Sequence, residues 1–415
     1  MGVVSPVGSG REAFWRNLTA GRSGISTVTL FDTSAMPVRI GGQVTDLDVE
    51  ELVQRFPELA AERDRKIPLG FAAASEAVTA AGVCSGDLAA ARLFVGVGLE
   101  MLHLGDLTPF AGEKDLVGTL ARSKLATPAA TPVQTPLDRL GVLLRERFGI
   151  GGACCTNGSA CAAGAQVVGQ AMQSIQDGLC DVAVAGAADS MLNPLGLGGF
   201  SLLRVLATGD GSPERACRPF DASRQGTVLG EGAAFLVLEE LTRARARNAS
   251  VLAEVLGYGC SMDGFAVSDP DPAGRGAAVS MRKAIRDARL TPDDVDCVSA
   301  HGTGTVKNDI VETAAIKEVL GARARIVPVH AVKSMTGHMI AASGAVEAVA
   351  AVLTLGRGVV PPTINLDRPD PECDLDYVPN ASRPFAGRTV LSNSFGFGGQ
   401  NATLIFGRPS WPSVN

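Results

Sequence analysis

Asn157-Gly-Ser-Ala-Cys161-Ala-Ala-Gly164 is the stretch of sequence that decides the fold. An apolar, strand-like run precedes it, and the residues from Cys161 to Gly178 place small and apolar side chains at helical spacing. The octapeptide therefore predicts a strand-to-helix turn with Cys161 at the helix N-terminus. Such a position lowers the pKa of a thiol and presents backbone N–H groups to a developing oxyanion. We interpret Cys161 as a candidate nucleophile and expect the other cysteines, including Cys154 and Cys155, to be buried structural residues.

Short apolar runs alternate with longer helical patterns along the whole chain, which indicates an α/β fold. Asp181-Val-Ala-Val-Ala-Gly186 is typical of a buried strand, and Gly344 to Leu355 predicts a buried helix. The pattern restarts after a polar, basic stretch, so we divide the chain into residues 1–248 and 249–415. The two parts share no visible sequence repeat, and a duplication would rest on the order of their elements alone.

Composition excludes several classes of function. With 46% hydrophobic and 19% charged residues among 415, the chain can bury a large core. Few aromatic residues (5%) and a net charge of -6 argue against nucleic acid or an anionic membrane as a partner. Nine cysteines without a C-x-x-C pair predict neither a disulfide framework nor a metal site. We expect a cytoplasmic protein that is neither secreted nor membrane-spanning.

Two of the four histidines stand among glycine and hydroxyl residues, in Ala300-His-Gly-Thr-Gly-Thr305 and Lys333-Ser-Met-Thr-Gly-His338. These small neighbours leave room for a substrate beside each imidazole, although a structural role remains the alternative. The acidic residues Asp309 and Glu312 are positioned to brace the first of these loops.

The glycine-rich run Ser394-Phe-Gly-Phe-Gly-Gly-Gln-Asn401 is followed by a strand-like segment and not by a helix. No helix N-terminus would meet a phosphate there, so we do not expect nucleotide binding. The run predicts either a mobile aromatic gate beside a pocket or a tight structural turn.

These motifs, in this order and spacing, resemble the β-ketoacyl-acyl carrier protein synthases of the thiolase superfamily. The matches include Cys217-Arg-Pro-Phe-Asp221 and Gly344-Ala-Val-Glu347, and they extend over nearly the whole chain. The resemblance is closest to stand-alone type II enzymes, namely the synthase II group and type II polyketide ketosynthases. It implies a five-layered αβαβα fold of two similar halves, with no cofactor bound by the enzyme and substrates carried on the phosphopantetheine of acyl carrier protein.

The resemblance also implies roles for individual residues. Cys161 would accept the acyl group, with its thioester carbonyl held by the N–H groups of Cys161 and Phe397. His301 and His338 would donate hydrogen bonds to the malonyl thioester, and Lys333 and Glu347 would orient them. The remaining implied roles are a gate (Phe397), phosphopantetheine contacts (Thr303, Thr305, Ser268), an acyl-pocket position (Thr227) and docking of an acidic carrier protein (Arg65, Lys66, Arg204). The three basic residues have an alternative as ordinary solvated charges.

Three departures from the family pattern stand out. The usual Val-rich first strand is expected to be missing, or the start misassigned, because the chain opens with Met1-Gly-Val-Val. Arg224-Gln-Gly-Thr-Val228 replaces Arg-Asp-Gly-Phe-Val, which predicts a roomier pocket at Thr227 unless the neighbouring loop closes the gap. The stretch from Leu99 to Val133, which in relatives contacts the acyl chain and the dimer partner, matches poorly.

The predicted function is decarboxylative condensation of an acyl-enzyme with malonyl-acyl carrier protein, in specialised metabolism. The enzyme would act as a homodimer or pair with a chain-length-factor-like subunit. One alternative is a noncatalytic partner subunit, against which Cys161 and both histidines argue. Another is an acyl-transferring relative that uses Cys161 but does not condense.

Overall fold

The computed structural model describes residues 1–103, 134–209 and 211–409. Most of the poorly matching stretch that begins at Leu99 lies outside these described residues. The strands are β1 (Gly2–Ser5), β2 (Gly8–Ser9), β3 (Ile25–Thr27), β4 (Ile40–Gly42), β5 (Arg92–Val97), β6 (Met101–Leu102), β7 (Gln134–Thr135), β8 (Cys154–Asn157), β9 (Val182–Ser190), β10 (Glu231–Glu239), β11 (Glu254–Met262), β12 (Val298–Ser299), β13 (Val329–His330), β14 (Val359–Val360), β15 (Arg383–Pro384), β16 (Thr389–Phe395) and β17 (Gln400–Gly407). The α-helices are α1 (Arg11–Thr19), α2 (Val49–Arg55), α3 (Lys66–Ala81), α4 (Ser85–Ala90), α5 (Arg139–Phe148), α6 (Ala163–Gln176), α7 (Pro194–Leu202), α8 (Leu241–Ala246), α9 (Arg275–Asp287), α10 (Val306–Leu320), α11 (Lys333–Thr336) and α12 (Ser343–Arg357).

Two large sheets repeat one topology. The first has the order β2-β1-β10-β9-β5-β8, and the second has the order β11-β17-β16-β12-β13. From β1 and from β11 the pairings run antiparallel, antiparallel, parallel and parallel in both sheets. This repetition confirms two similar halves, which the sequence predicted only through element order.

Five layers stack around these sheets. Helix α3 packs on one face of the first sheet, α9 packs on the second sheet, and α6 and α12 lie side by side between the sheets. The two central helices come very close because each has a glycine at the contact. A Cβ on Gly164 would lie 2.6 Å from the backbone nitrogen of Ala345, and a Cβ on Gly344 would lie 2.6 Å from that of Ala165. The predicted αβαβα arrangement is confirmed.

Three of the four hydrophobic clusters in the described part of the chain join the helices to the sheets. The largest lies between the sheets and contains the apolar residues of α6 and α12, such as Val168 and Val349. One outer cluster joins α3 to the first sheet, and another joins α9 and α10 to the second. Among the described residues, one segment (Ile340–Arg357) is long and apolar enough to span a membrane, but 89% of it is buried inside the protein. It is the predicted buried helix, α12, with the turn before it.

A first strand is present, because Gly2–Ser5 forms β1 and pairs with β10 and β2, so the expectation that it is missing is wrong; the alternative, a misassigned start, stays a prediction. The expectation that all the cysteines other than Cys161 are buried is also wrong. Cys154 and Cys155 are exposed, as are Cys84 and Cys260. The first two lie on β8, which is the edge of its sheet and pairs with β5 on one side. The boundary predicted at residue 248 falls between β10 and β11, and the folding of the halves as separate domains stays a prediction.

Candidate active site

Cys161 lies in the turn that joins β8 to α6. The side chain of Asn157 shapes this turn by accepting hydrogen bonds from the backbone N–H (2.9 Å) and hydroxyl (2.5 Å) of Ser159. Ala160 takes a left-handed φ of 48°, which is costly for a residue with a Cβ, and a short 3-10 turn then leads into α6. Cys161 is only 3% exposed and lies at the start of the helix, as predicted.

The thiol of Cys161 contacts an imidazole from the other half of the molecule. His338 Nε2 lies 3.1 Å from Cys161 Sγ. Burial raises the pKa of the Cys161 thiol to about 11, so the lowered pKa expected of a thiol at a helix N-terminus is wrong here, although the Lys333 charge and the backbone N–H groups of Phe397 and Cys161 act to lower it. Burial and the Lys333 charge hold the pKa of His338 well below its usual value. The resting site therefore pairs a protonated thiol with a neutral imidazole.

His301 is oriented by a buried ion pair. The Lys333 ammonium donates to His301 Nδ1 (3.2 Å), to the His301 carbonyl (2.7 Å) and to the Glu347 carboxylate. Because an ammonium can only donate, His301 Nδ1 must accept, and its hydrogen is carried on Nε2. Burial and the Lys333 charge hold the pKa of His301 well below its usual value. Burial raises the pKa of Glu347 to about 7, and Lys333 opposes this rise.

Glu312 braces the loop that carries His301. Its carboxylate accepts the backbone N–H groups of His301 and Gly302, both at 2.8 Å, and the amide of Asn393 at 3.2 Å. Asp309 accepts the N–H of Gly304 at 3.3 Å. The predicted bracing by Asp309 and Glu312 is confirmed.

His338 is held from its other side by Ser343, the first residue of α12. His338 Nδ1 lies 2.9 Å from the Ser343 hydroxyl, which also accepts the N–H of Met339 at 3.0 Å. The sequence reasoning missed Ser343, although a serine at the start of a helix five residues after a candidate histidine was a usable signal. It also did not single out Arg224, whose guanidinium donates to the carbonyls of Thr305 (3.4 Å) and Val306 (3.1 Å).

A cavity of about 300 Å³ opens onto Cys161, His301 and His338. Its lining includes the other predicted pocket residues, namely Thr227, Ser268, Thr303, Thr305 and Phe397. The hydroxyls of Thr303 and Thr305 are 2.9 Å apart, and Ser268 is exposed at the mouth. Thr227 is 3% exposed, and its hydroxyl has no hydrogen-bond partner within the described part of the chain.

Phe397 lies on the turn between β16 and β17. Its ring is 6.0 Å from that of Phe200, measured between centroids, on the cavity wall. The two residues after it, Gly398 and Gly399, have φ values of 80° and 77°, which glycine adopts without strain. The turn is thus a tight one, and its aromatic side chain faces the cavity.

The predicted docking residues differ in position. Arg204 is exposed at the mouth of the cavity. Lys66 is 1% exposed, and its ammonium lies 2.7 Å from Asp64 and donates to the carbonyl of Leu99 at 2.8 Å. The prediction that Lys66 docks a carrier protein is wrong, because its charge is inside the protein. Arg65 is held in an ion pair with the buried Glu231 at 2.7 Å.

The sulfur of Cys161 and one nitrogen of each of His301 and His338 lie within 4.8 Å of one another. Thiolate and imidazole are ligands that zinc prefers, so this cluster could hold a metal ion. The sequence predicted no metal site, and that expectation stays a prediction. The other histidines lie elsewhere: His330 is buried on β13, and His103 contacts Thr135.

The chain matches two sequence models of one family. The N-terminal domain of β-ketoacyl synthase matches residues 1–244, and the C-terminal domain matches residues 252–367. A 3-oxoacyl-[acyl-carrier-protein] synthase 2 from Synechocystis is 38% identical over 406 residues, covering 98% of this chain and 96% of that protein. Cys161 lies within the residues that match the N-terminal model, and His301 and His338 lie within those that match the C-terminal model.

Solved structures agree with this relationship. The ishigamide ketosynthase/chain length factor has a TM-score of 0.87 and 35% identity, covering 99% of this chain and 98% of that one. A type II polyketide ketosynthase, in complex with its acyl-carrier protein and bound to a hexaketide, has a TM-score of 0.81 and 30% identity, covering 99% of this chain and 98% of that one. The chain therefore belongs to the β-ketoacyl synthase family.

Proposed function

We propose that this enzyme elongates an acyl chain by decarboxylative Claisen condensation between an acyl-Cys161 thioester and malonyl-acyl carrier protein. The observation that carries the proposal is the meeting of Cys161, from the first half, with His301 and His338, from the second, in one cavity. Specialised metabolism is the proposed context, since the solved relatives include a type II polyketide ketosynthase.

Acyl transfer to Cys161 is the first step. Cys161 Sγ forms a bond to the acyl carbonyl carbon, the bond from that carbon to the phosphopantetheine sulfur breaks, and the departing sulfur takes up the proton that Cys161 loses. The backbone N–H groups of Cys161 and Phe397 both lie against Sγ. In the thioester they are placed to donate to the carbonyl oxygen and stabilise its negative charge.

Condensation is the second step. The bond between the malonyl carboxylate and C2 breaks and releases CO₂, and the electron pair passes onto the thioester oxygen as an enolate. His301 and His338 donate Nε2–H hydrogen bonds to that oxygen. C2 then bonds to the acyl carbon, and Cys161 leaves as a thiolate that is reprotonated. Lys333 and Glu347 act as positioning residues, because they hold His301 in the tautomer that donates.

Substrate delivery requires the mouth of the cavity to accommodate a phosphopantetheine arm. The hydroxyls of Thr303, Thr305 and Ser268 line this route, and Phe397 gates it by rotating away from Phe200. Arg204 offers a positive charge at the surface for an acidic carrier protein. This proposal draws on the solved relative that is bound to its acyl-carrier protein.

A partner subunit of the same fold is also proposed. The edge strand β8 pairs with β5 on one side, and its first two side chains are exposed. An exposed strand edge is a template for pairing with a second chain. The second chain is a copy of this one or a chain-length-factor-like subunit, and native mass spectrometry of the protein alone and with such a subunit distinguishes the two.

Intact-mass analysis with acyl- and malonyl-acyl carrier protein tests the condensation. The wild type and a Cys180→Ala control should gain the acyl mass and yield the elongated product. Cys161→Ala should gain no acyl mass yet retain malonyl decarboxylation. His301→Ala and His338→Ala should still be acylated, while condensation falls by about 100-fold or more.

Each alternative has its own outcome in this experiment. An acyl-transferring relative would form acyl-Cys161 and never the elongated product. A noncatalytic subunit would do neither. Full condensation by Cys161→Ala would refute the assignment of the nucleophile.

A further inference from the structure

Ser343 touches the imidazole of His338 on the side away from Cys161. Its hydroxyl lies 2.9 Å from His338 Nδ1, and His338 Nε2 lies 3.1 Å from Cys161 Sγ. Ser343 is 1% exposed, so water does not replace either contact freely. The hydroxyl is therefore part of the immediate surroundings of the reacting sulfur, one imidazole removed.

The direction of the bond between Ser343 and His338 follows from the donors available. The Ser343 oxygen already accepts the N–H of Met339 at 3.0 Å, and His338 Nδ1 is the one acceptor that the described residues offer to its hydrogen. If Nδ1 carried a hydrogen, two donors would face each other unless the serine hydrogen turned away, and that hydrogen would then be buried without an acceptor. A buried donor without a partner is costly, so the hydroxyl donates and Nδ1 accepts.

We propose that Ser343 is a positioning residue that fixes neutral His338 in the tautomer with its hydrogen on Nε2, facing Cys161. Lys333 imposes the same tautomer on His301 by donating to Nδ1 at 3.2 Å. Two unrelated groups, a hydroxyl and an ammonium, thus give both imidazoles an Nε2–H directed into one cavity. His338 is consequently a hydrogen-bond donor toward Cys161 in the resting enzyme and not a base that waits for the thiol proton.

Nuclear magnetic resonance of the ¹⁵N-histidine-labelled protein at pH 7.5 tests the tautomer directly. Long-range ¹H–¹⁵N correlations identify which ring nitrogen carries the hydrogen, and loss of signals in His338→Gln assigns His338 among the four histidines. The wild type and Ser343→Thr should show hydrogen on Nε2, and Ser343→Ala should show a shift toward Nδ1–H. Hydrogen on Nδ1 in the wild type, or an unchanged spectrum in Ser343→Ala, would overturn the proposal.

A kinetic measurement separates positioning from a merely structural role. Ser343→Ala leaves the buried Nδ1 acceptor of His338 without its donor and should lose about tenfold to a hundredfold in malonyl decarboxylation, while acylation of Cys161 is retained. Ser343→Thr should restore decarboxylation, and Ser392→Ala, a buried serine elsewhere on β16, should match the wild type. Equal loss of acylation and decarboxylation, or no rescue by threonine, would overturn the role.

This kinetic arm rests on the proposed condensation, whereas the spectroscopic arm does not. If the wild type decarboxylates nothing, the proposed function fails, and the tautomer of His338 is still decided by its spectrum.

Discussion

Replacing Lys333 by methionine should change how the stability of the protein depends on pH. Lys333 is 1% exposed, and its ammonium is paired with the equally buried Glu347. Methionine keeps the length and apolar character of the stem and removes the charge. Glu347 would then be a buried carboxyl without a cationic partner, and its pKa should rise above the value of about 7 that burial already gives it.

The size of the effect follows from the two pKa values of Glu347. Breaking a buried ion pair costs about 3–5 kcal/mol, and we expect the lower end at pH 7 because Glu347 can take up a proton. A carboxyl whose pKa is higher in the folded state than its ordinary value of 4.5 binds a proton on folding. The contribution of this bound proton to the stability of the folded protein is complete below the ordinary pKa of the carboxyl. It is lost as the pH rises toward the pKa that the carboxyl has in the folded state. In the wild type this decline slows at the pKa of about 7 and ends about one pH unit above it, whereas in Lys333→Met it continues to higher pH, at about 1.4 kcal/mol per pH unit.

Urea unfolding followed by circular dichroism between pH 6 and 8.5 measures this difference. Lys333→Met should lose about 1 kcal/mol more than the wild type between pH 7 and 8, because Glu347 in the wild type, with a pKa of about 7, still loses about 0.4 kcal/mol over that interval. Lys333→Met/Glu347→Gln should lose no such excess. Lys307→Met is the matched control, because the Lys307 side chain is 66% exposed and its pair with Asp269 is worth about 1 kcal/mol or less. Parallel pH curves for the wild type and Lys333→Met would refute the reasoning.

Three further predictions concern metal binding, packing and selectivity. Micromolar Zn²⁺ should slow acylation of Cys161 by about tenfold or more through the Cys161, His301 and His338 cluster, with recovery on adding a chelator; inhibition that persists in His301→Ala would contradict this. Gly344→Ala should lower the free energy of unfolding by about 1–3 kcal/mol, because its Cβ would press on the backbone of Ala165. Gly356→Ala, where a Cβ meets open space, should raise the free energy of unfolding by about 0.5–1 kcal/mol. Denaturant titrations that rank the two variants otherwise would be evidence against the helix contact. Thr227→Phe should shift acylation toward saturated and away from conjugated acyl-carrier proteins, and an identical preference in both proteins would mean that this position does not set selectivity.

Much of the candidate active site could be predicted from local sequence. The small residues around Cys161 favour a tight strand-to-helix turn, so the placement of the thiol could be predicted without tertiary information. The same holds for the loop of His301, where Glu312 stands close enough in sequence to reach the backbone N–H groups. Such features depend on contacts within one segment and its neighbouring helix.

Features that depend on where a strand or charge lies in the assembled fold were not predictable in the same way. The apolar sequence pattern around Cys155 is the same for a strand at the centre of a sheet and for one at its edge, and β8 is at the edge. A lysine looks like a solvated charge until its partner is known, and the partner of Lys66 is Asp64, two residues away inside the protein. The repeated topology of the two sheets was equally hidden, because no residue repeat accompanies it.

The two similar halves have corresponding turns before their central helices, and the nucleophile lies in the first of these turns. Each half has a 3-10 turn that opens its central helix and begins with a strained residue, Ala160 (φ 48°) in the first half and Ile340 (φ 44°) in the second. The next residue is Cys161 in one turn and Ala341 in the other. The N–H of Cys161 interacts with its own sulfur, and Cys161 lines the cavity, whereas the N–H of Ala341 donates to the buried carboxylate of Asp189 at 3.1 Å. The second turn thus directs its N–H to a buried protein carboxylate, whereas the first turn carries the nucleophile, and the second half supplies His301, His338 and the groups that orient them.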